Sequence, residues 1–292
     1  MTDFGAAACG LARAAGSELE KASAGAEATL AGMARETPEL QHASQIYAKN
    51  VLVRQQFVRR LLKPFESWVS DSKDYFDTGF VDDMASKTAF IPEEDLVLPA
   101  PSILVPAVQG LAYSKDEPSL KDMYLELLAT ASDGRNVGGA HPSYAEIIKQ
   151  LASEEAVILS LVAKDDAGAI VALRRSKPGE SKGFTFRRHL LPLTLGGKAV
   201  TSARLSSYVD NWARLGLFTV EYDKYLVRDG AYDWAEELPE VVDARANTPE
   251  VTEVVLVRGV LRRTDFGESF SRAVGILDSS APRDGYTPES LS

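Results

Sequence analysis

The chain has 292 residues, 45% of them hydrophobic, and a formal net charge of −10. That length suits one large domain or two ordinary ones, and the apolar fraction supports a real core. No stretch approaches the roughly 18–20 consecutive apolar residues that cross a bilayer, and the single cysteine, Cys9, excludes an intramolecular disulfide and a cysteine zinc cluster.

Asp3 and Phe4 stand where a secretory signal would be basic, so a cytoplasmic location is expected. Residues 1–36 are rich in alanine and glycine. Phe4, Ala8, Leu11, Ala15, Leu19, Ala22, Ala26, Leu30 and Met33 recur at steps of three or four, an eleven-residue period that fits a nearly straight helix. Gly5, Gly10, Gly16, Gly25 and Gly32 each weaken it by about 1 kcal/mol relative to alanine. The segment reads as a helical or flexible N-terminal piece.

Residues 37–152 read as a helical domain. Tyr47, Val51, Val58, Leu61, Phe65 and Trp68 form one stripe, broken at Pro64. Residues 89–117 carry Pro92, Pro99, Pro101 and Pro106 and read as an extended connector, ending in a short helix through Val108 and Leu111. Between Pro118 and Ser132, Leu120, Met123, Tyr124, Leu127, Leu128 and Ala131 line one helical face, with Asp133-Gly134 as its stop. A second helix starts at Pro142 and buries Tyr144, Ile147, Ile148 and Leu151. Ser153 caps a third, with Glu154 and Glu155 in its first turn and Val157, Ile158, Leu161 and Val162 as its core face.

Residues 153–277 have the order of a winged-helix-like domain. Ala169 to Leu173 reads as a strand, 176–183 as a loop, Thr201 to Leu215 as a helix stopped at Gly216, and Phe218 to Leu226 with Val251 to Arg262 as a β-hairpin. Between those two strands lies an acidic insertion, 229–253, with eight acids and one cation, Arg245. A last helix follows Thr264, with Asp265 and Glu268 as a capping pair, and 278–292 is a polar tail expected to be disordered. The expected fold class is therefore mainly α, α+β overall: a helical N-terminal part and a winged-helix-like C-terminal part with a small antiparallel β-hairpin.

Several of these blocks resemble the Abi-alpha (abortive infection alpha) family of bacterial proteins. The most specific is AHPSYAEIIKQLASEEAVIL at 140–159. LLKPFESWVSDSKDYF at 61–76, RLGL at Arg214–Leu217 and T-x-F-G-x-x-F at Thr264–Phe270 also match. The resemblance covers about residues 45–274 and implies phage resistance, which is a process and not a reaction. The acidic insertion and the alanine-rich N-terminus depart from the family pattern.

Charge singles out one candidate surface. Arg174, Arg175, Lys177, Lys182, Arg187, Arg188, Lys198 and Arg204 stand against one acid, Glu180, so 174–204 carries +7 and the rest of the chain −17. Such a surface suits a protein partner, nucleic acid or anionic lipid, or it is a solvated face that docks the chain's own acidic insertion. His141-Pro142 is the candidate motif site: a histidine at a helix start can meet an anion or partner, but more often it is a turn residue. Asp165-Asp166 and Glu93-Glu94-Asp95 are paired acids of the kind that hold metals, although loops commonly carry such pairs. Gly196-Gly197-Lys198 is not a phosphate-binding loop, because Ala199 replaces the required hydroxyl residue. No nucleophile–base constellation is present. The expectation is a non-enzymatic defence protein without cofactor or metal, working through contacts with a phage or host protein. Nucleic acid, a membrane surface and self-association stand as other partners; a DNA-binding regulator and a hidden nuclease stand as the rival functions.

Overall fold

A computed structural model describes residues 52–63, 75–180, 183–195, 198–199, 202–248 and 252–278. The alanine-rich stripe, Trp68, Lys182 and the polar tail lie outside them. The fold is α+β and mainly helical, with one four-stranded antiparallel sheet. Two compact units divide inside the helix that begins at Ser153: one runs to Val157 and takes in Ala273–Gly275, and the other holds Ile158–Arg272 with the residues from Ile276.

The first unit is helical. A stretch at 52–62 is followed by α1 (Phe80–Lys87), α2 (Pro101–Ser114), α3 (Pro118–Ala131) and α4 (Tyr144–Lys149). Arg54 donates from Nε to the Thr88 carbonyl (3.1 Å) and from its terminal nitrogen to that of Ile91 (3.0 Å), tying 52–62 to the turn that ends α1. The connector expected at 89–117 is shorter than its prolines suggest, because α2 already starts at Pro101 and contains Pro106. Pro101 sits in the first turn, where its missing N–H costs nothing. Burial of Ile103, Leu104, Ala107, Val108 and Leu111 along one face outweighs the bond lost at Pro106. The expected face of α3 is buried at Leu120, Met123, Tyr124, Leu127 and Leu128; Ala131 is only half-buried, and Leu125 and Ala129 join the core instead. Lys87 pairs with Asp122 (2.5 Å) and Glu126 (2.6 Å), and Lys121 with Asp83 (2.7 Å), so ion pairs edge the α1–α3 seam.

The helix α5 (Ser153–Val162) begins where the sequence places it. Its cap is made by Glu155, whose Oε2 accepts the Ala152 N–H (3.1 Å). Ala156, Ile158, Leu159 and Ala163 are the fully buried positions, so the face is rotated from the expected one and only Ile158 is common to both.

In the second unit the strands are β1 (Ala167–Ser176), β2 (Gly183–Leu190), β5 (Phe218–Glu221) and β6 (Glu253–Arg263), in the order β2-β1-β6-β5. A two-residue ribbon of β3 (Thr194–Leu195) and β4 (Lys198–Ala199) and the helix α6 (Leu205–Arg214) separate β2 from β5. The small hairpin expected from sequence is thus part of a larger sheet. β1 runs the whole length of 167–176, and β2 forms from the basic segment itself.

The acidic insertion is helical, with a single turn at Asp233–Glu237 and α7 (Pro239–Ala246). Its Ala231, Tyr232, Ala235 and Val241 are buried against Ala169, Val171, Leu173 and Leu190 of the sheet. Acids are its majority charge, but alanine, tyrosine and valine fix its position. The last helix, α8 (Asp265–Ala273), is capped by Thr264, whose Oγ1 accepts the Gly267 N–H (2.8 Å). Glu268 instead pairs with Arg272 one turn on (3.0 Å).

Candidate functional site

Arg174 and Arg175 lie on β1, and Arg187 and Arg188 on the adjacent edge strand β2. The register sets Arg174 opposite Thr185, Arg175 opposite Phe184 and Leu173 opposite Arg187. Residues directly opposite share a sheet face, so Arg175, Phe184 and Arg187 stand on the same side. The Arg175 guanidinium lies over the Phe186 ring at 5.2 Å. Lys177 follows β1 directly, and Arg204 precedes α6, where the Ser206 hydroxyl donates to the Arg188 carbonyl (2.5 Å). Lys198 belongs to the β3–β4 ribbon. The fold thus gathers four of the eight predicted cations on two neighbouring strands.

Several cations elsewhere are neutralised: Lys87, Lys121, Arg135, Arg262, Arg263 and Arg272 pair with carboxylates. Among the described residues, no carboxylate lies within ion-pair distance of Arg174, Arg175, Lys177, Arg187, Arg188 or Arg204. The described residues of the insertion do not supply one. Its Arg245 pairs with its own Glu236, and its contact with Arg175 is the Thr248 hydroxyl (3.4 Å). The expectation that the basic segment docks the acidic insertion by charge therefore finds no ion pair.

Two exposed aromatics complete the surface. Phe184 is 73% exposed and Phe186 38%. The predicted site named only the cations; KGFTFRRH at 182–189 has the glycine and aromatics of an RNA-recognition strand but lacks the repeated strand–helix context of that pattern.

The hairpin is anchored at its inner end by His189. This residue has a left-handed backbone (φ 61°) within the irregular stretch where Leu190 resumes pairing with Val171. Its Nε2 faces Asp210 Oδ1 at 3.1 Å, its Nδ1 faces the Tyr222 hydroxyl at 3.2 Å, and its own N–H donates to that hydroxyl (3.1 Å). A neutral ring with the proton on Nε2 satisfies every partner: it donates to Asp210 and accepts from Tyr222. Burial lowers its pKa below the ordinary imidazole value, and Asp210 opposes this only in part. Three separate stretches of the chain supply this cluster, so no local spacing announces it.

The other candidates make local contacts. His141 and Pro142 lie in the exposed turn before α4, where His141 Nδ1 accepts the Ser143 N–H (3.1 Å) and faces the Ser143 hydroxyl (2.7 Å). That is a turn-closing contact. Asp166 is bound by Arg263 (2.8 Å), and the Asp165 carbonyl accepts from the same guanidinium (3.2 Å). Glu93, Glu94 and Asp95 form a single exposed turn. Among the described residues, no group of three or more His, Cys, Asp or Glu is placed to hold a metal ion, and no helix is long and apolar enough to cross a membrane.

These features define an α+β protein with a helical unit and a sheet unit bearing a cationic hairpin. A family model, "Abortive infection alpha", matches residues 72–274, well over half of the chain. The chain belongs to that family. No curated protein and no solved structure matches it.

Proposed function

We propose that this abortive-infection family member defends its cell against phage as a contact-making protein, with the β1–β2 hairpin as its working surface. One observation carries the reading: Arg174, Arg175, Arg187 and Arg188 lie together, with no carboxylate partner among the described residues, in a chain where acids outnumber bases 42 to 32. Like charges gathered on neighbouring strands repel one another. Internal carboxylates could have relieved that cost, so the arrangement is best explained by an anionic partner. The reading places the protein in the cytoplasm, where such a phage or host component is met, and requires no covalent step.

The test is phage plating and cell survival at low and high phage dose, with the full chain and with an Arg187→Gln/Arg188→Gln variant. Protection by the full chain at low dose, death at high dose, and loss of both in the variant would support the reading. Equal protection by the variant would remove the hairpin from the function.

A further inference from the structure

The chemistry of the hairpin narrows its partner, and this inference rests on the reading just given. We propose that the hairpin binds single-stranded nucleic acid, with the arginines meeting phosphates and Phe184 and Phe186 stacking on bases.

Charge alone would suit any polyanion. The aromatics make the distinction. Phe184 and Phe186 are two residues apart on an edge strand, which separates them by about 6–7 Å along the chain. Both are exposed, and they flank the same cation: Arg175 is opposite Phe184 in the register and lies over the Phe186 ring. Exposed rings beside guanidinium groups at the outer end of the hairpin are what unstacked bases joined by phosphates require. A duplex keeps its base faces stacked and would leave Phe184 in water. An acidic peptide would use the arginines and ignore the rings. The outer edge of β2, last in the sheet order, makes room for an extended strand to run beside it.

The experiment uses the full chain and fluorescence anisotropy with short labelled oligouridylate and oligothymidylate, the corresponding duplex, polyglutamate and phosphatidylglycerol vesicles. Binding to one or both single strands is expected, weakening with salt at a log–log slope of about −3 if four phosphates are neutralised. Phe184→Ala, at an exposed position, should weaken binding about tenfold or more and leave that slope unchanged. Arg187→Gln/Arg188→Gln should weaken binding and flatten the slope. Melting temperatures of both variants check that each is folded, and either variant alone suffices if the other is not. Equal binding of duplex and single strand without an effect of Phe184→Ala, or binding of only the vesicles or polyglutamate, would overturn the proposal. If the arginine variant loses phage protection while the full chain ignores every oligonucleotide, the hairpin keeps its role and the nucleic acid is wrong. If the variant protects fully, the reading beneath it fails as well.

Discussion

Gly267 sits so close to Leu217 that a β-carbon on it would lie 2.0 Å from the Leu217 carbonyl oxygen. Two blocks far apart in sequence, RLGL and T-x-F-G-x-x-F, meet at this point. Gly216 ends α6 with a left-handed φ of 75°, which a glycine adopts without strain. The next carbonyl, that of Leu217, accepts the Thr264 N–H (3.0 Å), and the Thr264 hydroxyl donates to the Gly216 carbonyl (2.5 Å). The two blocks are thus a single helix-to-helix joint.

Gly267→Ala should therefore destabilise the protein. Alanine gains about 1 kcal/mol of helix propensity, but the clash is with backbone, which cannot turn aside. A net loss of about 1–3 kcal/mol is expected in urea unfolding. Thr264→Val, which deletes the cap and the bond to Gly216, should cost about 1–2 kcal/mol. Ser269→Ala, at a half-buried position of α8 whose hydroxyl bonds only the Asp265 carbonyl one turn back (3.0 Å), should cost under about 1 kcal/mol and serves as the control. A Gly267→Ala protein as stable as its parent would show that the joint opens freely.

His189 gives the protein a pH-dependent component of stability. Its folded pKa lies below the ordinary imidazole value of 6.5 because the ring is buried. The unfolded chain then takes up the proton first. The contribution is complete above about pH 6.5 and is lost as the pH falls toward the folded value. Protonation of Nδ1 also ends its acceptance from Tyr222. Unfolding free energy should fall on acidification below about pH 6.5, and His189→Asn, which tolerates the left-handed backbone, should flatten that part of the profile. Because carboxylates titrate lower, the difference between parent and variant is the quantity to measure. An unchanged difference across this range would remove His189 from the balance.

The helical unit was legible in the sequence because its signals are local. Pro118, the Leu120–Leu128 spacing and the Asp133-Gly134 stop each act within a turn or two, and α3 follows them. Prolines misled at 101–106, where burial of one face overrode the connector reading. The sheet unit was less legible for a physical reason: β2 is defined by pairing with β1, and polar, basic residues hide its alternation. His189 lies on β2, Asp210 on α6 and Tyr222 just after β5, so only the fold brings them together. The cations of the candidate surface could be read directly; that Arg174, Arg175, Arg187 and Arg188 have no carboxylate partner among the described residues could not.

In the helical unit, a β-carbon on Gly110 of α2 would lie 2.2 Å from both the ζ carbon and the hydroxyl of Tyr124 in α3. Tyr124 is 1% exposed and its hydroxyl donates to the Ala145 carbonyl at 3.3 Å, so the ring has little room to yield. Gly110→Ala and Tyr124→Leu should each destabilise. Their double variant should lose less than the two together, with a coupling of about 0.5–3 kcal/mol. Strict additivity would mean that α2 simply shifts away from α3.

Tyr232 tests how the acidic insertion is held to the sheet. Its hydroxyl donates to the Gly259 carbonyl of β6 (2.8 Å) and accepts the Leu226 N–H (2.9 Å), and its ring lies against the Arg258 guanidinium at 5.4 Å. Tyr232→Phe keeps the ring and leaves two backbone groups unsatisfied, one of them on a buried glycine of β6. A loss of about 1–3 kcal/mol is expected. If apolar burial and this hydroxyl hold the insertion, adding salt should leave the loss almost unchanged, because neither is screened. If charge attraction between the insertion and the basic strands holds it, salt should weaken the parent protein as much as the substitution does. Amide hydrogen exchange along 229–248, compared at low and high salt, separates the two: protection that survives salt but drops in Tyr232→Phe assigns the anchoring to the ring and its hydroxyl, and leaves the arginines of β1 and β2 available to a partner.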